Sequence, residues 1–391
     1  MTTFQQAALS VCILGFGLHL VTVILAIVRC RLRPPSAGRF DGPSNPPAVA
    51  VLRPVRGIDQ HDEMTLRSSF ALDYPNYELV FCCADAADPV VPLIGRLIAE
   101  HPNVPARLLI GDDRSTANPK LNNLIKGWQA TRQDWVVIAD CNVLMPPDYI
   151  QRLLGRWDTT TGLVCSPPAG CNPEGFEAEV ECAFLNTYQL RWQYAADAIG
   201  CGFAQGKSML WRRDTLESAG GIRALGAEIA EDAAATKVVR RRGLHVRLVD
   251  APFEQPLGRR SWGQLWDRQV RWARLRRVTF AACFAPEILT TSIVPIAAGG
   301  IAAAGAGSDV PAALVVMAAV WYGSEAVLAR SSGWRLTFAS PVAWVVRDLL
   351  IPVFWVAAWT GNSFNWRGNE MSATRASLIV VDADTAAAKS T

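Results

Sequence analysis

Four long apolar segments constrain this chain before any single residue does. One fills residues 7–28, with His19 its only strongly polar interruption; the others fill 278–304, 310–329 and 337–360. At about 1.5 Å per residue, runs of this kind can cross the roughly 30 Å hydrocarbon core of a bilayer. A cleaved signal would carry positive charge ahead of its apolar run, whereas here Arg29, Arg31 and Arg33 follow it. The reading is an uncleaved anchor, with the N-terminus outside and the following residues in the cytoplasm by the positive-inside bias. The 278–304 run holds Pro286-Glu287 and Pro295, and the last run holds Arg347-Asp348 and Pro352. Charge is costly inside a membrane, so these segments are expected to be broken, tilted or re-entrant. Three full crossings after the middle region would put the tail outside; a tail that serves a cytoplasmic site needs one segment to turn back.

The middle of the chain reads differently. Residues 34–47 are rich in Pro, Gly and Ser and form a linker. Short buried-strand signals follow at 48–52, 77–83, 106–110, 135–139, 163–166, 203–211 and 244–249, with helical patterns at 90–100, 120–131, 174–194, 231–242 and 262–277. Strands alternating with helices indicate an α/β fold with a mostly parallel sheet, whose ligands sit at the carboxyl ends of the strands. The expected organisation is an anchor over 1–30, a linker over 31–47 and a cytoplasmic catalytic domain over 48–277, including an interfacial helix at 262–277. Transmembrane or re-entrant helices at 278–362 and a tail at 363–391 complete it. A net charge of +3 over 391 residues gives no reason to expect a nucleic-acid partner. The ten cysteines contain no C-x-x-C and the four histidines lie far apart, so no structural zinc site is read; free thiols suit the reducing, cytoplasmic side.

The candidate chemistry lies at strand ends and helix starts. Asp85 follows the second strand, and Asp140-Cys141-Asn142 follows the fourth. Glu231-Asp232 opens a helix, and Arg268-Gln269-Val270-Arg271-Trp272 lies in the last helix before the apolar runs. Taken singly, each has a plainer role: a turn or cap for Asp85 and Asp140, a dipole-favoured helix start for Glu231-Asp232, and a membrane-surface face for Arg268, Arg271 and Arg274. Taken together they suit transfer of a sugar from a nucleotide diphosphate. Asp140 and Asn142 offer oxygen ligands to a hard divalent cation, Mg²⁺ or Mn²⁺. Asp232 can take the proton of an attacking alcohol, with Glu231 the weaker candidate. Arg268 and Arg271 can hold the leaving diphosphate with Trp272 packed behind them.

That order resembles the D, D, D, (Q/R)xxRW signature of membrane glycosyltransferases of the GT-A fold, and among them the ceramide glucosyltransferases, especially bacterial ones. The resemblance covers about residues 48–280. It also rests on Leu52-Arg53-Pro54-Val55-Arg56-Gly57, Asp85-Ala86-Ala87-Asp88-Pro89, Asn118-Pro119-Lys120-Leu121-Asn122-Asn123-Leu124 and Ala230-Glu231-Asp232. It implies a GT-A-type, mostly parallel sheet with transmembrane helices at both ends of the chain, in a bacterial inner membrane, with the site facing the cytoplasm. It also implies inverting transfer of glucose from UDP-glucose to the primary hydroxyl of ceramide. By matched position Asp85 would contact the nucleotide, Asp140 would belong to the metal and donor site, and Asp232 would be the base. Arg268, Arg271 and Trp272 would hold the diphosphate and acceptor region. Two departures stand out. Asp140-Cys141-Asn142 replaces Asp-x-Asp, which weakens or makes indirect the metal ligation, and Arg268 stands where polysaccharide synthases usually have Gln, which favours single transfer to a lipid. A transferase using another sugar or another lipid such as a hopanoid, a processive polysaccharide synthase, and a non-catalytic membrane protein remain the alternatives.

Overall fold

In the computed structural model, residues 1–31, 46–366 and 369–373 are described; most of the linker and the end of the tail lie outside them. The chain divides into two compact units. One comprises residues 36–167, 203–249 and 374–391, and the other residues 1–35, 168–202 and 250–373. The strands, in chain order, are β1 (Val49–Val55), β2 (Tyr77–Cys83), β3 (Ala106–Ile110), β4 (Trp135–Ala139), β5 (Thr161–Ser166), β6 (Pro168–Glu174), β7 (Ser208–Arg212), β8 (His245–Leu248), β9 (Phe253–Arg259), β10 (Ser363–Trp366) and β11 (Asn369–Ser372).

The first unit is a seven-stranded sheet in the order β3-β2-β1-β4-β7-β5-β8. β3, β2, β1 and β4 run parallel, β7 is antiparallel to both β4 and β5, and β8 is parallel to β5. Every residue of β1 is buried, as a strand covered on both faces requires. The Pro119–Ala130 helix packs on this sheet. Asn118 caps it by accepting from the Leu121 N–H at 3.1 Å, and Pro119 occupies its first turn. Asn123 donates to the carbonyl of Cys82 at 2.5 Å, fixing the helix against the end of β2.

Arg53, inside β1, is fully buried. Its guanidinium donates to the carbonyls of Asp140, Cys141 and Val143 at 2.9, 2.9 and 3.1 Å, and to Thr65 O at 2.7 Å. The buried charge therefore sets the path of the chain just beyond β4. Only a planar, many-donor group can hold several carbonyls at once. The segment expected as strand from residue 203 becomes regular only at Ser208. Residues 203–207 take irregular backbone instead, tied by the Ala204 N–H to Thr236 Oγ1 at 2.9 Å.

Among the described residues, the second unit contains three helices long and apolar enough to cross a membrane: Thr3–Arg31, Val310–Ser332 and Ser340–Trp359. The pair Ala281–Thr290 and Ile293–Gly305 bends by 47° and makes a fourth if read as one broken span. The bend falls at Thr291-Ser292, a few residues beyond Pro286-Glu287, which lie within the first helical piece. Close packing uses small residues: a Cβ on Gly299 would come within 2.9 Å of the Cys12 sulfur and closer still to Met317. The helix read over 174–194 runs from Phe176 to Ala198, with a π-helical segment at Phe184–Leu190. β6 and β9 form a parallel pair and β10 and β11 a hairpin, none of which the sequence pattern disclosed.

Charges among these helices are paired. His19 stacks on Trp321 with ring centroids 3.6 Å apart and lies 2.9 Å from Ser324 Oγ. Arg347 donates to both oxygens of Glu325 at 2.9 Å and to Thr187 Oγ1 at 2.7 Å, and sits 2.8 Å from Asp348. Arg347 and Glu325 have side-chain exposures of 1% and 0%. Removing one partner of so buried a bidentate pair strands the other. Glu325→Ala is expected to cost about 3 kcal/mol, read as a lower unfolding midpoint of the full chain in detergent. Replacing Arg347 and Glu325 together by apolar residues should recover much of that loss; an unchanged midpoint for the single variant would show that the pair is not buried.

Candidate active site

The carboxyl end of β4 carries Asp140, whose backbone N–H donates to Lys207 O at 3.0 Å just ahead of β7. The Lys207 side chain returns to Asp140 Oδ2 at 2.9 Å and to Asn142 Oδ1 at 3.2 Å. The Lys207 ammonium thus sits on a carboxylate oxygen and an amide oxygen that converge on one point. The other Asp140 oxygen takes Lys120 Nζ at 2.6 Å, and Lys120 also reaches Glu231 Oε1 at 2.5 Å. Lys120 comes from the helix that Asn118 caps, and Asn118 Nδ2 donates to Glu231 Oε2 at 2.9 Å. The Asn118-Pro119-Lys120 phrase therefore positions the acidic pair.

Asp232 is half-buried in the first turn of the Glu231–Arg241 helix. Its carboxylate accepts from the N–H of Gly206 at 3.1 Å and of Ala233 at 2.8 Å. Gly206 cannot carry a side chain without disturbance, because a Cβ would fall 2.7 Å from Glu231 Oε1. Its carbonyl accepts from Lys120 at 2.8 Å. Asp140, Asn142, Glu231 and Asp232 are thereby gathered around two lysines and a glycine.

Three carboxylates share two ammoniums here, and the charges are unevenly served. Burial opposes ionisation of Asp140, but Lys120 and Lys207 outweigh it and hold its carboxyl well below the usual carboxylate range. Burial likewise opposes the Lys120 charge, yet Asp140 and Glu231 push that ammonium up, so it stays protonated. Among the described residues, Asp232 forms no ion pair with an ammonium. Burial and then the neighbouring Glu231 charge raise it to about 6, against the partial relief given by Lys120 and the two N–H donors. A carboxylate tuned toward neutrality is what a general base needs.

The other expected residues are placed as follows. Asp85 is exposed at the end of β2, where one carboxylate oxygen accepts from the Ala87 N–H at 2.9 Å; its visible role is a turn. Asp88 does more for the local backbone. It accepts from the Gly57 N–H at 2.9 and 3.0 Å and from the Val90 N–H at 2.9 Å, holding together the loops after β1 and β2.

Arg268, Arg271 and Trp272 belong to the second unit, on the Trp262–Thr279 helix. Ser261 and Gln264 start that helix with reciprocal bonds of 3.2 and 3.0 Å. Arg268 lies 2.5 Å from Glu181, a fully buried carboxylate that also faces Arg260 at 3.3 Å. Its guanidinium carbon is 5.9 Å from the Trp272 ring centre. Trp272 packs on Cys182, Leu185 and Leu257, and Arg271 is half-buried. The basic stripe is therefore not simply a lipid-facing surface. Arg268 answers Glu181, Arg274 donates to the carbonyls of Ser363 and Ala357, and Arg276 forms a two-point pair with Glu287. Sequence reading missed Lys120, Lys207, Gly206 and Glu181 as partners. Lys120 was visible inside a quoted phrase; the others had no local pattern to mark them.

The sheet order and the carboxylates at its strand ends define a GT-A-type glycosyltransferase, carried with helices that make it a membrane protein. A solved mannosyltransferase from Pyrobaculum calidifontis, in complex with GDP-Man and Mn²⁺, shares the fold at a TM-score of 0.53 and 18% identity. The match covers 90% of this chain and 98% of that one. The chain matches the family described as glycosyl transferase family 21 over residues 12–379, and it belongs to that family. It is similar to two proteins of Caenorhabditis elegans. Ceramide glucosyltransferase 1 is 28% identical over 70% of this chain and 58% of its own length. Ceramide glucosyltransferase 3 is 25% identical over 83% of this chain and 72% of its own.

The raised Asp232 carboxyl gives a signed expectation. If Asp232 must be ionised to accept a proton, kcat/KM falls as pH drops through about 6, along a one-proton limb. Glu231→Gln removes a neighbouring negative charge and should move that limb to lower pH. A limb that stays in place would detach it from Asp232. Because the folded carboxyl sits above its ordinary 3.8, its ionisation also lowers stability as pH rises from about 4 to 6.

Proposed function

We propose that the protein transfers glucose from UDP-glucose to the primary hydroxyl of ceramide with inversion at the sugar carbon, giving glucosylceramide and UDP. The observation that carries the reaction type is Asp232. It is held by two backbone N–H groups and raised toward neutrality by burial and the neighbouring Glu231 carboxylate. The choice of sugar and lipid is supported by the ceramide glucosyltransferases that the chain resembles.

In this mechanism Asp232 takes the hydroxyl proton as the acceptor oxygen forms its bond to the anomeric carbon. The bond from that carbon to the diphosphate oxygen breaks on the opposite face, and its electron pair leaves with UDP. The departing diphosphate gains charge, so cations that meet it at this stage lower the barrier more than they tighten the ground state. Lys207 is such a cation near Asp140, and the proposal assigns the same task to Arg268 and Arg271, with Trp272 as their support. Asp85 is assigned to the nucleotide.

Among the described residues no group of three or more His, Cys, Asp or Glu side chains converges as a metal seat, so a divalent cation here would take most of its ligands from the donor phosphates. Asp140 Oδ2 and Asn142 Oδ1 already converge on the Lys207 ammonium, a seat of hard oxygen ligands that Mg²⁺ or Mn²⁺ could take with phosphate oxygens completing the shell. When bound, the ion would neutralise diphosphate charge. With one carboxylate in this seat, binding should be weak without the donor. The basic residues after the first apolar helix support a cytoplasm-facing site in a bacterial inner membrane.

Asp232→Asn is expected to abolish turnover while UDP-glucose binding, followed by calorimetry, survives; normal turnover would remove Asp232 from the reaction. EDTA should inhibit, with Mg²⁺ or Mn²⁺ restoring activity, and full activity in chelator would show that Lys207 and the arginines suffice. Expression in a host lacking glycolipids, with ceramide and hopanoid supplied, identifies the acceptor by mass spectrometry of the lipid extract. A hopanoid product would replace ceramide in the proposal.

A further inference from the structure

The last apolar helix, Ser340–Trp359, is long and apolar enough to cross a membrane, yet both of its ends are held on one side. The first helix, Thr3–Arg31, serves as a ruler for depth. The Ile293–Gly305 helix runs antiparallel to it, with Pro295 against Gly15, Gly299 against Cys12 and Gly305 against Gln5. The Val310–Ser332 helix then runs back. Met317 touches Cys12 at 3.8 Å, and Trp321 meets Phe16 with ring centroids 5.3 Å apart. Ser324 reaches His19 at 2.9 Å, and Ser331 O accepts from Arg31 Nε at 3.2 Å. These two segments are a crossing away from the basic end of the first helix and a crossing back to it.

The last apolar helix starts from that end. Glu179 ties its start, accepting from Arg335 Nε at 2.9 Å, Thr337 Oγ1 at 3.1 Å and Ser340 Oγ at 3.0 Å. Its far end is tied to the Trp262–Thr279 helix, which precedes the first of the two crossings. Arg274 donates to Ala357 O at 3.4 Å and to Ser363 O, and Arg277 donates to Asn362 Oδ1. The Arg277 guanidinium also lies 5.4 Å from the Trp359 ring centre. The chain after the helix is thus beside the chain before the crossings. One crossing out and one back already restore that level, which leaves no third for Ser340–Trp359. The faces of the helix say what surrounds it. Val342, Val345, Leu349, Val353 and Val356, at three- and four-residue steps, are between 40% and 56% exposed, while the opposite face buries Arg347 and Asp348. Charge inside and an apolar stripe outside require an apolar medium. The crossing helices of the same unit expose Leu14, Ile301 and Val316 in the same way.

We propose that Ser340–Trp359 does not cross the membrane but lies along one leaflet, at the Arg31 end of the first helix, with Val342, Leu349 and Val356 set among lipid acyl chains. It is the segment that turns back, and it leaves residues 363–373 on the same side as Arg31 and Arg277. Its inner face is locked to the returning helix by Arg347, which pairs with Glu325 of that helix at 2.9 Å.

The test uses the full chain in nanodiscs of phosphatidylcholine. Val342, Leu349 and Val356 are replaced one at a time by a keto amino acid carrying a nitroxide, which leaves the native thiols untouched. All three side chains are exposed, so the label does not disturb packing. Depth is read from spin relaxation by oxygen against relaxation by a nickel chelate. A helix along the leaflet places the three labels in the apolar zone at one depth, within about 5 Å, the pitch of a single turn. A crossing helix, rising about 1.5 Å per residue, places Leu349 about 10 Å deeper than the other two, and that result overturns the proposal. Labels shielded from both reagents mean that a second copy of the chain covers the stripe, and the lipid assignment falls. In a separate measurement, a self-labelling tag is placed at the C-terminus or at Gly307, in the turn between the two crossings, and intact cells are treated with a membrane-impermeant dye. The two tags are expected on opposite sides; finding both on one side adds a third crossing and rules out the helix in the leaflet.

Discussion

The catalytic unit turns on one ammonium. Lys120 lies between Asp140 at the end of β4 and Glu231 at the start of its helix, 2.6 and 2.5 Å away. Without it, two carboxylates from different parts of the chain would face one another across partly buried space, where like charges repel strongly. With it, the two carboxylates share one ammonium, and the next carboxylate along, Asp232, is left without an ion-pair partner among the described residues. Asp232 is raised first by its burial and then by the neighbouring Glu231 charge, against partial relief from Lys120. Arg53 works on the same end of the sheet from beneath, through carbonyls rather than carboxylates, and fixes the backbone on which Asp140 is mounted.

The membrane unit obeys the same rule in a harsher medium. Arg347 with Glu325 and Asp348, Arg268 and Arg260 with Glu181, and Arg29 with Asp197 and Asp250 each place an arginine fork against buried carboxylates. Charge that would be prohibitive alone is tolerable when paired and hydrogen-bonded.

The family motifs acquire separate physical meanings in this frame. Arg53 in the first phrase is a backbone clamp. Asp88, a few residues beyond Asp85, is a loop staple that joins two strand ends. Asn118 and Lys120 orient Glu231. Asp140, Asn142, Glu231 and Asp232 present oxygen atoms that the first unit has gathered into one place. A motif read as a row of functional residues is largely a set of supports for a few of them.

The sequence by itself determined the elements and their kind. The apolar run 48–52 signals a buried strand, the pattern over 262–277 a helix, and the prolines and charges of 278–304 an irregular apolar run, because these are local consequences of burial, periodicity and missing donors. It also determined which residues could do chemistry, since strand-end carboxylates and a helix-opening acidic pair are visible in order. Only the tertiary structure decided which charge meets which. Lys207 and Gly206 lie in irregular chain where a strand pattern was read, and Glu181 lies in a helix with no sign of its partners Arg260 and Arg268. Partners separated by tens of residues leave no period in the sequence, so the burial and the neighbouring charge that raise Asp232 exist only once the chain has folded.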